Sequence, residues 1–187
     1  MGKVLTAIAA MMACVSATVP KPIYPHDESA IVRIVCQRAN GGGAYGSGFK
    51  VGPSTYITAA HVVSGGTCSV DGHTIRITAL DVKRDFASFE GPASPVTIKT
   101  RCDGFLAGEI YLARGFPGGG FYKIASPWFI TGIRDKEMQV AFGDAIPGMS
   151  GGPVMDGDGV VAGIVVRHSP ARALPLSETG YCKGDAA

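Results

Sequence analysis

The sequence predicts an all-β protein in two similar halves. Three observations carry this. The 187 residues include 27 glycines and 12 prolines, which favour many turns over long helices. Apolar residues fall in short, β-branched runs rather than at helical spacing. Residues 91–95, GPASP, form a break that leaves nearly equal stretches once a leader is set aside. With 46% hydrophobic and 17% charged residues the chain has material for a real core. Its net charge of +2 has no basic run behind it, which argues against nucleic acid or an anionic membrane as the principal partner.

Residues 1–17 carry one lysine, Lys3, then an apolar run ending in V-S-A, the pattern of a secretory signal peptide. The run is shorter than the ~20 residues a spanning helix needs. Cys14, preceded by Met-Met-Ala, offers a second reading, lipidation, which alone would give the protein a membrane attachment. Residues 18–28 contain three prolines and read as an extended arm with a solvated His26.

The first half is expected at 29–92. It opens with the β-branched strand 29–37, followed by a loop with glycines at 41–43. A phosphate loop is excluded there, because no lysine-serine pair follows and the next segment is strand-like. Residues 55–63, TYITAAHVV, form a strand that runs into small residues and a short helical turn presenting His61. A lone histidine beside an apolar run is ordinarily structural, so His61 needs partners before it means more. Asp71-Gly72 is a hairpin signal between two strands in 68–82, with His73 exposed beside it. Asp85 sits at the mouth of a further strand, whereas Asp71 has a turn role and Asp81 lies within a strand-like run.

A linker at 93–104 leads to the second half and tail at 105–187, with strands expected at 109–114, 122–124, 129–134 and 138–142. Residues 147–153, PGMSGGP, precede two strands around an Asp-Gly turn in 154–166. Cys36, Cys68, Cys102 and Cys182 are an even set suited to disulfides in an oxidising compartment. Three pairings are open. Cys36 with Cys68 and Cys102 with Cys182 is the simplest, since it staples each half separately. No C-x-x-C or H-x-x-x-H spacing favours zinc, and no cofactor motif is present.

Ser150 is the candidate nucleophile. Glycines at 148, 151 and 152 fence it in, and glycine is the residue that lets backbone approach a ligand closely. A serine hydroxyl attacks only when a base takes its proton. GMSGG also fits the G-x-S-x-G elbow, with Asp156 or Asp158 and His168 in the matching order. That elbow needs a helix after the serine, and here Pro153 and β-branched residues follow.

Together, TAAH ending at His61, RDFASF containing Asp85, GMSGGP containing Ser150, and GSGF at 46–49 resemble the trypsin-like, chymotrypsin-fold serine proteases. The resemblance implies two antiparallel six-stranded β-barrels with the active site in the crevice between them. It implies Ser150 as nucleophile, His61 as general base, Asp85 as its orienting carboxylate, and backbone N–H groups of Gly148 and Ser150 as the oxyanion hole. Met149 stands where trypsin has the aspartate that pairs with a new N-terminus, so no trypsin-type zymogen activation is expected, as in bacterial and viral members. Tyr45 and Val62 stand where the family's usual disulfide beside the histidine would be. Asp144 lies six residues before Ser150, at the pocket-acid spacing, although its loop looks more like one where it does not set specificity. Val166, Arg167 and His168 would lie on the substrate-pairing strand, with a solvated edge the more ordinary reading of Arg167 and His168. The reading is a secreted or periplasmic serine endopeptidase acting on peptides or proteins. The alternatives are an inactive binding module of the same fold and a lipid-anchored surface protein.

Overall fold

The computed structural model describes residues 28–134, 137–168 and 170–183, with the backbone alone at 133–134, 137–142 and 168. The expected leader at 1–17, Cys14, and the arm up to residue 27 lie outside the described residues. The first half contains β1 (Ile31–Arg38), β2 (Gly43–Lys50), β3 (Thr55–Thr58), the four-residue helix α1 (Ala60–Val63), β4 (Gly66–Val70), β5 (His73–Thr74), β6 (Arg76–Asp81) and β7 (Phe86–Glu90). The strands form one curled antiparallel sheet in the order β5-β4-β1-β2-β3-β7-β6. Alternation sets the faces: Ile34 and Cys36 of β1 enter the core while Val35 and Gln37 face outward.

This sheet has seven strands, not the six expected, because 66–81 splits into three pieces rather than two. Asp71 and Gly72 both adopt positive φ, 50° and 78°, as the tight primed turn between β4 and β5 demands. Ile75 N–H continues that hairpin register by donating to the Cys68 carbonyl, and from Arg76 the chain leaves β4 to pair with β7 as β6.

The second half contains β8 (Ile110–Gly115), β9 (Ile124–Arg134), β10 (Glu137–Phe142), β11 (Pro153–Met155), β12 (Val161–His168) and β13 (Ala171–Pro175). These close into a six-stranded barrel in the order β10-β13-β12-β11-β8-β9. The segments expected separately at 122–124 and 129–134 are one strand running through Pro127. Proline removes a ladder donor, but β10 pairs with β9 only from Phe129 onward, so Pro127 meets no neighbour on that side. β13, not anticipated, pairs with β12 through Ala171 to Pro175 and completes the barrel.

Each half has its own apolar core. A third cluster joins the halves, with Ile31, Phe49, Ile57 and Phe86 from the first sheet and Phe116, Met155, Val161, Ile164, Leu174 and Leu176 from the second. The connection between the halves is held along its length. Lys50, buried in the first sheet, donates from Nζ to the Ser94 (2.7 Å) and Pro92 (3.3 Å) carbonyls, and burial pushes its pKa down from the ordinary lysine range. Farther on, Arg101 N–H donates to the Val161 carbonyl and Val161 N–H to Lys99.

Both disulfides of the simplest pairing are present. Cys36 and Cys68 face each other across β1 and β4, while Cys102 ties the connection to Cys182 in the last turn. Their sequence separations are 32 and 80 residues. Closing such loops removes about 3.7 and about 4.5 kcal/mol of unfolded-state entropy respectively. We therefore expect Cys102→Ala/Cys182→Ala to lower the unfolding free energy somewhat more than Cys36→Ala/Cys68→Ala. Denaturant titration of both double variants measures this.

Candidate active site

Small residues deliver His61. After β3 the chain passes through Ala59 and Ala60, both essentially fully buried, into α1, whose outer side carries His61 with 48% of its side chain exposed. Asp85 lies in the turn before β7 at φ 54°, a left-handed conformation that aspartate tolerates better than most residues. Its Oδ1 accepts the His61 backbone N–H at 2.9 Å, and the imidazole Nδ1 lies 2.7 Å from Oδ2 and 3.0 Å from Oδ1. A carboxylate can only accept, so in the neutral imidazole Nδ1 carries the proton and Nε2 is bare.

Ser150, 9% exposed, sits in a turn belonging to the other sheet. Gly151 N–H donates to the Val165 carbonyl (2.7 Å) and Val165 N–H to Gly152 (2.9 Å), pinning the turn to β12. Its other flank is held by Ser47 N–H, which donates to the Ser150 carbonyl at 2.8 Å, and by Gly118 N–H, which donates to Pro147 at 2.6 Å. A trans peptide points its C=O and N–H in opposite directions. The Gly148 N–H is therefore turned away from the loop that holds the Pro147 carbonyl. Gly148 itself is at φ +99°, and a β-carbon there would lie 2.4 Å from the Phe116 carbonyl oxygen. Among the described residues no acceptor takes the N–H of Gly148 or Ser150. Met149 is fully buried in the second core, beside Tyr111, Trp128 and Val154.

Gly46 draws the two halves of the site together. A β-carbon on it would lie 2.6 Å from both Val62 methyls and 3.1 Å from the Ser150 carbonyl oxygen, so the His61 helix and the Ser150 turn close on one glycine. The position facing Val62 is thus Gly46 rather than Tyr45, whose side chain takes the opposite face of β2 and is half exposed. The Cys36–Cys68 bridge supports the same helix from below, with Cys36 Sγ 3.3 Å from the Val62 carbonyl oxygen.

Asp144 is exposed, and its carbonyl accepts the Trp128 indole N–H at 3.3 Å. On β12, Val166 is half-buried and Arg167 is exposed. The His168 side chain lies outside the described residues. Asp156 serves its turn, with Oδ1 accepting from Asp158 and Val160 N–H. Among the described residues no three His, Cys, Asp or Glu side chains converge as a metal site requires.

Two features were missed in the sequence. Arg114, 3% exposed, pairs with Glu28, whose carbonyl also accepts from Lys123, so the start of the first half is fastened to the strand leading into the Phe116 loop. In the sequence Ser47 reads only as part of a strand motif, yet its hydroxyl spans the two halves. No local pattern signals either contact, because the partners lie 69 to 101 residues away in the chain.

Two packed, curled antiparallel sheets, with His61 and Asp85 on one and Ser150 on the other, define the two-barrel class to which the trypsin-like enzymes belong. A profile of the trypsin-like peptidase domain matches residues 46–164, well over half of the chain, and the protein belongs to that family. Solved bacterial proteases share the fold. The active form of the Rv3671c protease of M. tuberculosis superposes with TM-score 0.77 at 23% identity, over 99% of this chain and 96% of that one. A serine endoprotease of Yersinia pestis gives 0.71 at 18% identity, over 83% of this chain and 61% of its own. The HtrA-type protease AlgW, solved with a tripeptide, gives 0.70 at 18% identity, over 83% and 59%. No curated protein sequence matches significantly.

The turn's packing is directly testable. A β-carbon on Gly151, at φ +80°, would lie 2.1 Å from Thr58 Oγ1 and 2.3 Å from the Ser47 carbonyl oxygen, whereas Gly157 opens onto free space. Gly151→Ala should destabilise the fold by about 1–3 kcal/mol. Gly157→Ala should stay within ~0.5 kcal/mol of wild type, and thermal melts of the pair decide.

Proposed function

We propose that the protein is a serine endopeptidase working through an acyl-enzyme. The observation that carries this reading is the imidazole of His61, gripped by Asp85 through both its ring Nδ1 and its backbone N–H, beside the glycine that also touches Ser150. In the first step Ser150 Oγ bonds to the peptide carbonyl carbon while Nε2 of His61 takes the hydroxyl proton. Asp85 holds the imidazole in the required tautomer and stabilises its cation. The oxyanion accepts from Gly148 and Ser150 N–H, each such donor being typically worth about 10² to 10³ in rate. The C–N bond then breaks as His61 returns its proton to the amine, and water, deprotonated by the same imidazole, releases the acid and restores Ser150.

A peptide or protein substrate fits this chemistry, and the tripeptide held by AlgW is a parallel. The edge of β12 at Val166 and Arg167 would pair with it, and Asp144 is too exposed to act as a buried pocket acid without movement. Met149 anchors the Ser150 turn by apolar packing, so activity should need no trypsin-type N-terminal ion pair. Two disulfides suit a secreted or periplasmic setting. No helix among the described residues is long and apolar enough to cross a membrane.

A fluorophosphonate probe tests the reading. Wild type should be labelled, Ser150→Ala should not react, and Asp85→Asn should lose roughly 10⁴ in turnover of a peptide substrate. A wild-type protein that binds peptide yet resists the probe would instead be an inactive binding module.

A further inference from the structure

We propose that Ser47 is a positioning residue for the oxyanion hole, an inference that rests on the serine protease reading above. Ser47 belongs to the first sheet and is 0% exposed, and all of its polar atoms are engaged. Its backbone N–H donates to the Ser150 carbonyl (2.8 Å), and its carbonyl accepts from Thr58 Oγ1 (2.7 Å). Its hydroxyl meets two groups of the opposite sheet, the Phe116 N–H at 2.9 Å and the Gly148 carbonyl at 2.7 Å.

The direction of that hydroxyl is determined. An amide N–H can only donate and a carbonyl can only accept. Ser47 Oγ therefore receives Phe116 N–H and spends its own proton on the Gly148 carbonyl. That carbonyl begins the peptide after Gly148, and the Pro147 carbonyl, in the peptide before it, is held by Gly118 N–H. Gly148 thus sits between two tethered peptides.

Those tethers matter because Gly148 has the backbone freedom to turn its N–H elsewhere. Glycine takes positive and negative φ with similar ease, so its identity permits φ +99° without enforcing it. Enforcement comes from the hydrogen bonds at both ends, and Ser47 supplies the one from the opposite half of the molecule. Space is reserved for it: a β-carbon on Gly115 would lie 2.7 Å from Ser47 Oγ, so any larger residue there would displace the hydroxyl. Ser47 touches no reacting atom. It acts by aiming the Gly148 donor and by fastening the carbonyl of the nucleophile's own residue.

Ser47→Ala keeps the volume nearly constant and orphans both the Phe116 N–H and the Gly148 carbonyl. If the hydroxyl aims the hole, kcat on a peptide substrate should fall about 10- to 100-fold, a fraction of the loss expected for a whole oxyanion donor, while KM changes less than about threefold. Affinity for a tripeptide aldehyde, whose hemiacetal oxygen occupies the hole, should fall in parallel with kcat/KM. Thr58→Val is the comparison, since it removes a hydrogen bond from the Ser47 carbonyl but none from its hydroxyl. It should lower the melting temperature yet keep kcat within about threefold. Equal kcat in wild type and Ser47→Ala, or a loss in kcat that Thr58→Val reproduces at equal stability, overturns the proposal. Should Ser47→Ala not fold, Ser47→Cys puts a thiol, a far weaker donor and acceptor than the hydroxyl, into similar volume; kcat should again fall, and a kcat equal to wild type there would equally overturn the proposal. Wild type is first titrated with the fluorophosphonate. Failure of that reaction sinks the protease reading, whereas normal reaction with an unaffected Ser47→Ala sinks this inference alone.

Discussion

The groups proposed to react are divided between two sheets, so everything depends on the apolar seam that fixes one sheet against the other. Phe49, Ile57 and Phe86 lie on strands that flank the His61 and Asp85 segments, and they pack against Met155, Val161 and Ile164, on the strands that follow Ser150. Burying such side chains is worth about 1.5–3 kcal/mol each. A shift of this seam would move the His61 helix relative to the Ser150 turn without breaking a single bond within either sheet. Polar contacts across the boundary, among them Ser47 to Ser150, Gly148 and Phe116, Arg33 to Gly119, and Glu28 to Arg114 and Lys123, add direction to what the seam holds by area.

Glycine and hydrogen bonding divide the work at the nucleophile turn. The glycines at 148 and 151 allow φ values of +99° and +80° and allow backbone to press within van der Waals contact of its neighbours. They select no conformation by themselves. Selection comes from donors and acceptors on three separate segments, around Ser47, Gly118 and Val165, which arrive from both halves of the chain. The buried Met149 then locks the turn in the apolar core, where an enzyme of the trypsin type would use a charge pair.

Much of this was legible in the sequence, for physical reasons. His61, Asp85 and Ser150 each sit in a local pattern with its own meaning, small residues before the helical turn, a polar residue at a strand mouth, and glycines around a serine. Their joint order suggested the family. The all-β character followed from turn residues and β-branched runs. What escaped was non-local. Pro127 reads as a strand breaker until the missing neighbour on its far side is seen. The two-residue β5 is too short to signal itself, and β13 owes its existence to the barrel edge it closes. The Ser47 hydroxyl and the Arg114–Glu28 pair depend on partners that only the folded chain brings close.

The Cys102–Cys182 bridge has a consequence for survival among proteolytic neighbours. It encloses almost the whole second barrel, including the loop where Phe121 and Tyr122 stand highly exposed. A single nick anywhere between the two cysteines opens the backbone but leaves both fragments in one covalent molecule. The strand with Arg114 and the turn with Ser150 would then be held in register by the barrel pairing and by a tether that dilution cannot undo.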